Sequence, residues 1–266
     1  MVRTEHTVDR RTYMKLVGAS GVAGITATAG CATGTGGGAE EITPATAPGF
    51  PPFEMKNDEG ELVGFDVDLL TAVVEETEYT LAGWEEFEFS SLIPALRNDR
   101  ADVVAAAMTI TDDRDESVDF SDSYYSADQA ILVADGSDFA PSALSDLASG
   151  AVGAQEGTTG AGVVEEQLVN GGDLASSDFN TYGSYVLAVE DLVNGNVDAV
   201  VVDTPVANTF AAQRPVSVAF TYETGENYGF AVQEGDSDLQ SSLSEGLTAV
   251  RESGTYEDLT AKYFTG

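Results

Sequence analysis

The stretch VVAAAMTITDDR, from Val103 to Arg114, constrains the fold of this chain more than any other segment. It begins as an apolar strand, continues into hydroxyl-bearing residues and ends on an arginine. Ligands of open α/β sheets bind at the carboxyl ends of the strands, so this order places Thr109 and Thr111 at a ligand-binding edge. The guanidinium of Arg114 is a planar set of donors that matches a carboxylate. The segment therefore predicts a pocket for a small anionic group.

The rest of the chain alternates between strand and helix patterns. Apolar residues recur at helical spacing from Phe65 to Val74, and the buried strand pattern from Val197 to Val202 ends in Asp203. Further strands are predicted over 79–87, 103–107 and 125–134, and two amphipathic helices at the end of the chain. This alternation favours an α/β fold with mostly parallel sheets. Turn signals at 135–138 and 224–227 flank a middle block, which favours one lobe built from both ends of the chain and a second from the middle.

The chain is strongly acidic, with 46 Asp and Glu against 11 Lys and Arg and a formal net charge of −35. This charge argues against nucleic acid and anionic membrane surfaces as partners. Abundant carboxylates with very few lysines are typical of proteins that work in high salt, so we expect a halophilic, haloarchaeal source. The single histidine, His6, and the single cysteine, Cys31, lie in or beside the predicted leader. We therefore expect no histidine triad, thiol nucleophile or usual zinc site in the folded domain, whereas chemistry carried by carboxylates alone stays possible. We also expect no other metal and no cofactor.

Residues 1–30 are predicted to be an export leader. Arg10 and Arg11 resemble a twin-arginine motif, and the apolar segment that follows is too short to span a membrane. The residues around Cys31 resemble a lipobox, so we expect a lipid on Cys31; the alternative is a chance cysteine in a run of small residues. Residues 31–41 are predicted to form a flexible tether. Together these features predict export by the twin-arginine route and lipid anchoring at the extracellular face of the cell membrane.

Each candidate for chemistry also has an ordinary structural explanation. Arg114 and Thr109 could clamp a carboxylate, or Arg114 could form a surface salt bridge with the aspartates beside it. The turn from Gly157 to Gly160 could bind an anion, or Thr158 or Thr159 could simply cap a helix. These alternatives stay open from the residues alone.

Asp203 and two aromatic residues complete the set of candidates. Asp203 could hold an ammonium at the cleft or cap the following helix. Phe50 and Phe89 could stack on a ligand or belong to the core. Taken together, the candidates supply a carboxylate clamp, an ammonium acceptor and apolar walls, which are the groups that an α-amino acid requires.

Several motifs occur along the chain in a recognisable order. They are FPPFE (50–54), GFDVDL (64–69), LIPAL (92–96), MTIT (108–111), VDFS (118–121), VDAV (197–200), YGFAV (228–232) and GTY (254–256). With these motifs the chain resembles the extracellular solute-binding proteins of family 3, the polar amino-acid receptors of ABC importers. The resemblance covers about Phe50 to Phe264.

The resemblance implies a two-lobe, type II periplasmic-binding-protein-like α/β fold, with the ligand cleft between lobes that two crossover strands join. The first lobe would comprise 42–132 and 223–266, and the second 133–222. It implies that Arg114 binds the ligand carboxylate with help from Thr109, Thr159 and the backbone at Ala107. It further implies that Asp203 holds the ammonium, that Phe50 and Phe89 flank the side chain, and that Gln155 helps to select it. Hinge closure would then present the amino acid to a membrane permease.

The ligand and two other functions stay open. Ala47 and Gln155 supply no full charge near the expected ligand side chain, which favours a neutral polar amino acid. A cyclohexadienyl dehydratase on the same fold is one alternative, with Glu156 as its acid or base. A sensory ligand-binding module is the other; we expect it less, because no membrane helix or effector domain follows in this sequence.

Overall fold

The computed structural model of the protein describes residues 39–264. Arg10, Arg11, Cys31 and most of the predicted tether lie outside the described residues. The strands are β1 (Glu40–Ile42), β2 (Pro44–Thr46), β3 (Met55–Lys56), β4 (Leu62–Val63), β5 (Tyr79–Leu81), β6 (Glu85–Glu86), β7 (Val103–Val104), β8 (Val118–Phe120), β9 (Tyr125–Ala134), β10 (Val152–Gln155), β11 (Phe179–Tyr182), β12 (Ala199–Asp203), β13 (Val216–Tyr228) and β14 (Ala231–Gln233). The helices are α1 (Phe65–Glu75), α2 (Leu92–Arg97), α3 (Asp112–Asp115), α4 (Thr159–Val164), α5 (Tyr185–Val193), α6 (Thr204–Gln213), α7 (Ser237–Glu252) and α8 (Thr255–Phe264).

Two five-stranded sheets form the frameworks of two lobes. The first sheet has the order β6-β2-β7-β14-β8 and the second the order β11-β10-β12-β9-β13. In the first, β2 runs parallel to β6 and β7, whereas β14 runs antiparallel to β7 and β8. In the second, β10 runs parallel to β11 and β12, whereas β9 runs antiparallel to β12 and β13. The sheets are therefore mixed, and the expectation of mostly parallel sheets is wrong. One strand of each sheet, β14 in the first and β9 in the second, runs opposite to the other four and lies between two of them.

Two predicted strands are shorter than their sequence patterns. The predicted strand over 79–87 divides into β5, which pairs with β1, and β6, which pairs with β2, because the chain changes partners around Gly83. The predicted strand over 103–107 ends at Val104. Ala107 has a φ of 45°, in the left-handed region, so the backbone there cannot continue a strand.

Other predictions are confirmed. The apolar face of α1 is fully buried, β9 spans 125–134, and β12 ends in Asp203. The chain ends in α7 and α8, which pack against α1. None of the helices within 39–264 is both long and apolar enough to cross a membrane.

A buried aromatic cluster lies where β9 and β13 meet the first sheet. Its members have ring centroids 4.6 to 6.4 Å apart: Phe53, Phe65, Tyr124, Tyr228 and Phe230. Each is almost fully buried, and burying such large side chains is the main source of stability in a core. The cluster therefore gives the crossover strands a rigid base next to the first lobe.

Candidate functional site

A cavity lies between the two sheets, at the carboxyl ends of strands from both. All eight of the residues predicted to bind a ligand line it: Phe50, Phe89, Ala107, Thr109, Arg114, Gln155, Thr159 and Asp203. Ala47, Glu54, Ala106 and Thr158 complete the lining. Glu156, the candidate acid or base of the dehydratase alternative, is exposed and does not line the cavity.

Arg114 reaches across the cleft from the first lobe. The side chain of Thr111 caps α3 by accepting a hydrogen bond from the Arg114 amide. This bond holds the backbone of Arg114 in place. Arg114 Nη1 donates to the Thr109 carbonyl at 2.6 Å, and its Nη2 donates to the Gly157 carbonyl of the second lobe at 3.0 Å. The guanidinium lies 5.3 Å from the ring centre of Phe89. Burial lowers the pKa of Arg114, and the nearby Glu226 and Asp203 carboxylates oppose that shift.

The surface-salt-bridge explanation for Arg114 is not supported. Within 39–264 the ion pairs are Lys56 with Glu86 and Lys262 with Asp68, so Arg114 has no carboxylate partner there. A half-buried guanidinium without an ion-pair partner is unusual, because desolvating a cation is costly unless it is compensated. The position therefore suits an anion that arrives from outside.

Asp203 lies at the end of β12 and immediately before α6. Although it occupies the cap position of that helix, its side chain makes no capping hydrogen bond. Its carboxylate instead accepts a hydrogen bond from Gln129 Nε2 at 2.8 Å. Burial, together with the nearby carboxylate of Glu226, raises the pKa of Asp203 to about 8. Asp203 is therefore not used as a helix cap and faces the cavity.

The two threonines at the start of α4 have different partners. Thr158 Oγ1 accepts a hydrogen bond from the Ala161 amide, which confirms the capping explanation for Thr158. Thr159 instead turns its hydroxyl toward the first lobe, 3.5 Å from the Thr109 hydroxyl. The cleft is therefore narrow at this point, with one hydroxyl from each lobe facing the other.

Sequence reasoning missed Glu226 and Gln129. Glu226 is only 8% exposed, and its Oε2 accepts hydrogen bonds from Thr109 Oγ1 and Thr159 Oγ1, both at 2.7 Å. Its Oε1 accepts one from Gln129 Nε2 at 2.9 Å. The sequence does contain one indication of Glu226. Side chains two residues apart on a strand point to the same face, and Glu226 lies two residues before the buried Tyr228.

Two more buried carboxyl groups stand beside the cavity. Burial, with help from Asp66 and Asp203, raises the pKa of Glu54 well above its ordinary value. Asp66 Oδ2 accepts hydrogen bonds from the Ala107 amide and the Tyr124 hydroxyl, both at 2.6 Å, and burial raises its pKa to about 6. Asp66 thus holds the strained backbone of Ala107 in the cavity wall.

Replacing Asp66 by alanine is expected to reduce the free energy of unfolding by about 2–4 kcal/mol, since two buried donors lose their shared acceptor. Urea denaturation of the purified protein measures this loss. Tyr124→Phe removes only one donor and is expected to cost less. Because both changes affect the same hydrogen bond, their effects should not add in the double variant. Additive losses would show that Asp66 does not act through Tyr124.

The charges around the cavity are unequal. Arg114 is the one cation in its lining, against the carboxyl groups of Glu54 and Asp203, with Glu226 directly behind Thr109 and Thr159. No group of three His, Cys, Asp or Glu residues within 39–264 is arranged to hold a metal ion. The arrangement therefore suits a small molecule that carries one carboxylate and at least one positive charge.

Comparison with known proteins identifies close similarity over most of the chain. A sequence model for the bacterial extracellular solute-binding proteins, family 3, matches residues 42–266. A probable histidine-binding protein from Neisseria gonorrhoeae is 35% identical over 244 residues, which cover 86% of this chain and 88% of that protein. An L-arginine-binding protein from Pseudomonas aeruginosa is 34% identical over 226 residues, which cover 81% of this chain and 85% of that protein.

Solved structures show the same fold. An ancestral arginine-binding protein bound to arginine superimposes with a TM-score of 0.79 at 35% identity, covering 84% of this chain and 98% of that one. An ancestral amino acid-binding protein, described as a precursor of cyclohexadienyl dehydratase, gives a TM-score of 0.77 at 32% identity, covering 85% and 96%. The type II two-lobe fold expected from the sequence is thereby confirmed.

Proposed function

The chain belongs to the bacterial extracellular solute-binding proteins of family 3, and from this membership we propose that it binds a polar amino acid, with a basic side chain preferred, for an ABC importer. The observation that carries the proposal is that Arg114 and Asp203 face the same cavity from opposite lobes. An α-amino acid presents a carboxylate and an ammonium a short distance apart. A guanidinium on one side of the cleft and a carboxyl group that can ionise on the other match that pair.

Each end of the amino acid has a proposed partner. Arg114 binds the carboxylate, for which its planar donors are suited, and Asp203 binds the ammonium. Thr109 joins Asp203 at the ammonium, since its only hydroxyl proton is donated to Glu226 and its free lone pairs can only accept. This refines the sequence-based expectation, which placed Thr109 beside the carboxylate. Thr159 also donates to Glu226, so we propose that its backbone rather than its hydroxyl approaches the carboxylate.

Apolar residues and one carboxyl group are proposed to surround the side chain of the ligand. Phe50 and Phe89 supply apolar surface, Gln155 supplies an amide, and the backbone at Ala107 forms part of the floor. Glu54 is buried, and its Oε2 has no hydrogen-bond partner. A cationic side chain would satisfy that oxygen and offset the excess of carboxyl groups. The charges therefore favour a basic ligand over the neutral one expected from Ala47 and Gln155, in agreement with the arginine and histidine that relatives are named for.

Hinge closure is the proposed mechanism, a ligand-driven movement of two domains that periplasmic binding proteins as a class perform. The proposed lobes are 42–132 with 223–266, and 133–222, joined through β9 and β13. A ligand held by Arg114 on one side and Asp203 on the other makes its full set of contacts only when the cleft is closed. It therefore favours the closed state by its differential affinity for the two states.

Cellular placement follows from the sequence and the family. We propose export through the twin-arginine leader, lipid attachment at Cys31, and docking of the closed protein to a permease at the extracellular face of a halophile's membrane. The acidic composition and the motifs around Arg10, Arg11 and Cys31 support this placement. No nucleic acid, metal or cofactor is part of the proposal.

Thermal unfolding of the purified protein in molar salt, with each of the twenty amino acids and with prephenate, tests the proposal. A ligand that binds only the folded state raises Tm, and 100 times its Kd adds about 2.7 kcal/mol of stability. We expect the largest rise with arginine, histidine or lysine. A rise with prephenate alone, followed by its turnover, would instead support the dehydratase alternative, and no rise with any amino acid would refute the proposed ligand class.

A further inference from the structure

One carboxylate oxygen connects the two lobes behind the ligand cavity. Glu226 Oε2 accepts hydrogen bonds from Thr109, which follows β7 of the first sheet, and from Thr159, which follows β10 of the second. Both distances are 2.7 Å. Hydrogen bonds to a carboxylate are roughly twice as strong as neutral ones, and this pair lies in a largely buried position.

Backbone hydrogen bonds determine which of the two hydrogen bonds at Glu226, the one with Thr109 or the one with Thr159, breaks when the lobes separate. Ile110 N donates to the Asn227 carbonyl at 2.8 Å, and Thr109 forms a bridge with Tyr228, so the end of β13 is attached to the first lobe. Glu226 therefore stays with Thr109 when the lobes separate. Of the two contacts at Glu226 Oε2, the one that opening must break is therefore the hydrogen bond with Thr159. The hydrogen bond from Arg114 to the Gly157 carbonyl also crosses between the lobes and breaks with it.

A bulge in β13 turns Glu226 inward. The pairing of β13 with β9 shifts register between Tyr222 and Glu226. Asp128 Oδ1, on β9, accepts hydrogen bonds from the amides of Thr224 at 2.9 Å and Gly225 at 2.8 Å, which stabilises the bulge. Gly225 has a φ of 64°, which a glycine adopts without strain.

Glu226 and the proposed ligand do not occupy the same space. Glu226 is absent from the lining of the ligand cavity and instead lines a second, open cavity at the cleft mouth, with Asp113 and Glu166. Its Oε2 instead accepts hydrogen bonds from Thr109 and Thr159, whose side chains belong to residues that line the ligand cavity. The lobes can therefore be held together at this point with or without an amino acid in place.

We propose that Glu226 is a latch between the lobes: its hydrogen bond with Thr159 holds the cleft closed in a substantial fraction of molecules before any ligand binds. The role of the latch in amino-acid binding rests on the proposed function. The hydrogen bond between Glu226 and Thr159 does not depend on that function. The latch increases the fraction of ligand-free protein that is already closed. Because the closed state is the one that makes the full set of ligand contacts, this larger fraction raises the apparent affinity for the ligand.

Pulsed electron spin resonance tests the latch by measuring the distance between spin labels at Asp58→Cys and Glu190→Cys, two exposed positions on opposite lobes, in a Cys31→Ser background. We expect the ligand-free protein to show a large population at the short distance seen with saturating arginine. Glu226→Ala and Thr159→Val are expected to shift the ligand-free distribution to a longer distance. Thr159→Ser keeps the hydroxyl and is expected to stay closed. Glu223→Gln removes one negative charge from an exposed position of the same strand and is the matched control.

The outcomes separate the latch from the proposed ligand. A ligand-free distribution that is fully open in the unaltered chain, or that stays closed in Glu226→Ala, overturns the latch. Failure of Thr159→Ser to restore closure overturns it as well. If Glu226→Ala opens the ligand-free protein while arginine changes no distance in any variant, the latch stands and the proposed ligand class fails.

Discussion

Replacing Arg114 by alanine is expected to abolish measurable amino-acid binding. Arg114 is the one cation in the cavity lining, so the variant would place the ligand carboxylate in a cavity lined by the carboxyl groups of Glu54 and Asp203 with no cation to compensate. Removing one partner of a buried, hydrogen-bonded charge pair typically costs 2–5 kcal/mol, or roughly 30-fold to several thousand-fold in affinity. Isothermal titration calorimetry with arginine, or with whichever amino acid raises Tm most, measures the loss.

Two controls make the result specific to Arg114. Arg97→Ala removes the same charge from the exposed end of α2 and is expected to leave affinity unchanged within twofold. Arg114→Lys keeps the charge but not the planar pair of donors, so we expect it to recover only part of the affinity. A folded Arg114→Ala variant that binds as tightly as the unaltered chain would refute the proposed carboxylate site.

The cavity lining could be predicted from sequence because its residues stand at positions with a simple geometric meaning. Thr109, Arg114 and Thr159 follow strands whose carboxyl ends lie at the cleft, and Asp203 is the last residue of such a strand. A strand end can be found in the sequence from an apolar run followed by polar residues. The family resemblance, which rests on the order of the motifs, implied which of these residues face one another across the cleft. All of these residues meet in one cavity for that reason.

Glu226, Gln129 and Glu54 could not be found in the same way. They lie within strands or turns rather than at strand ends, and their importance depends on which face of a crossover strand meets the other lobe. The bulge that turns Glu226 inward depends on Asp128, about a hundred residues earlier in the chain. Such a contact follows only from the tertiary arrangement.

The shortened strands have a similar explanation. Local pattern alone favours a continuous strand over 103–107, because every residue there is apolar. The strand ends early since Asp66, on α1, binds the Ala107 amide and holds that residue in a left-handed conformation. A tertiary hydrogen bond to a buried carboxylate therefore overrides the continuous strand that the apolar pattern favours.

Replacing Asp203 by asparagine is expected to stabilise the ligand-free protein at neutral pH. The pKa of Asp203 is raised from an ordinary value of 3.8 to about 8, mainly by burial and also by the nearby Glu226 carboxylate. Between these values the folded chain keeps a proton that the unfolded chain has lost, so the free energy of unfolding decreases as the pH rises. Each unit of pKa difference is worth about 1.4 kcal/mol, and asparagine removes the dependence. Urea denaturation from pH 5 to pH 8.5 is expected to show a smaller decline in the variant.

The same substitution is expected to weaken ligand binding, with the opposite dependence on pH. An ammonium requires the ionised carboxylate, so in the unaltered chain binding expels the proton of Asp203 and affinity increases up to about pH 8, at most tenfold per unit. Asp203→Asn has no charge to offer; we expect an affinity lower by roughly 30-fold or more at pH 8 and nearly independent of pH. Calorimetry in buffers of different ionisation enthalpy would detect the released proton. A variant that is less stable yet binds normally would show that Asp203 supports the fold rather than the ammonium.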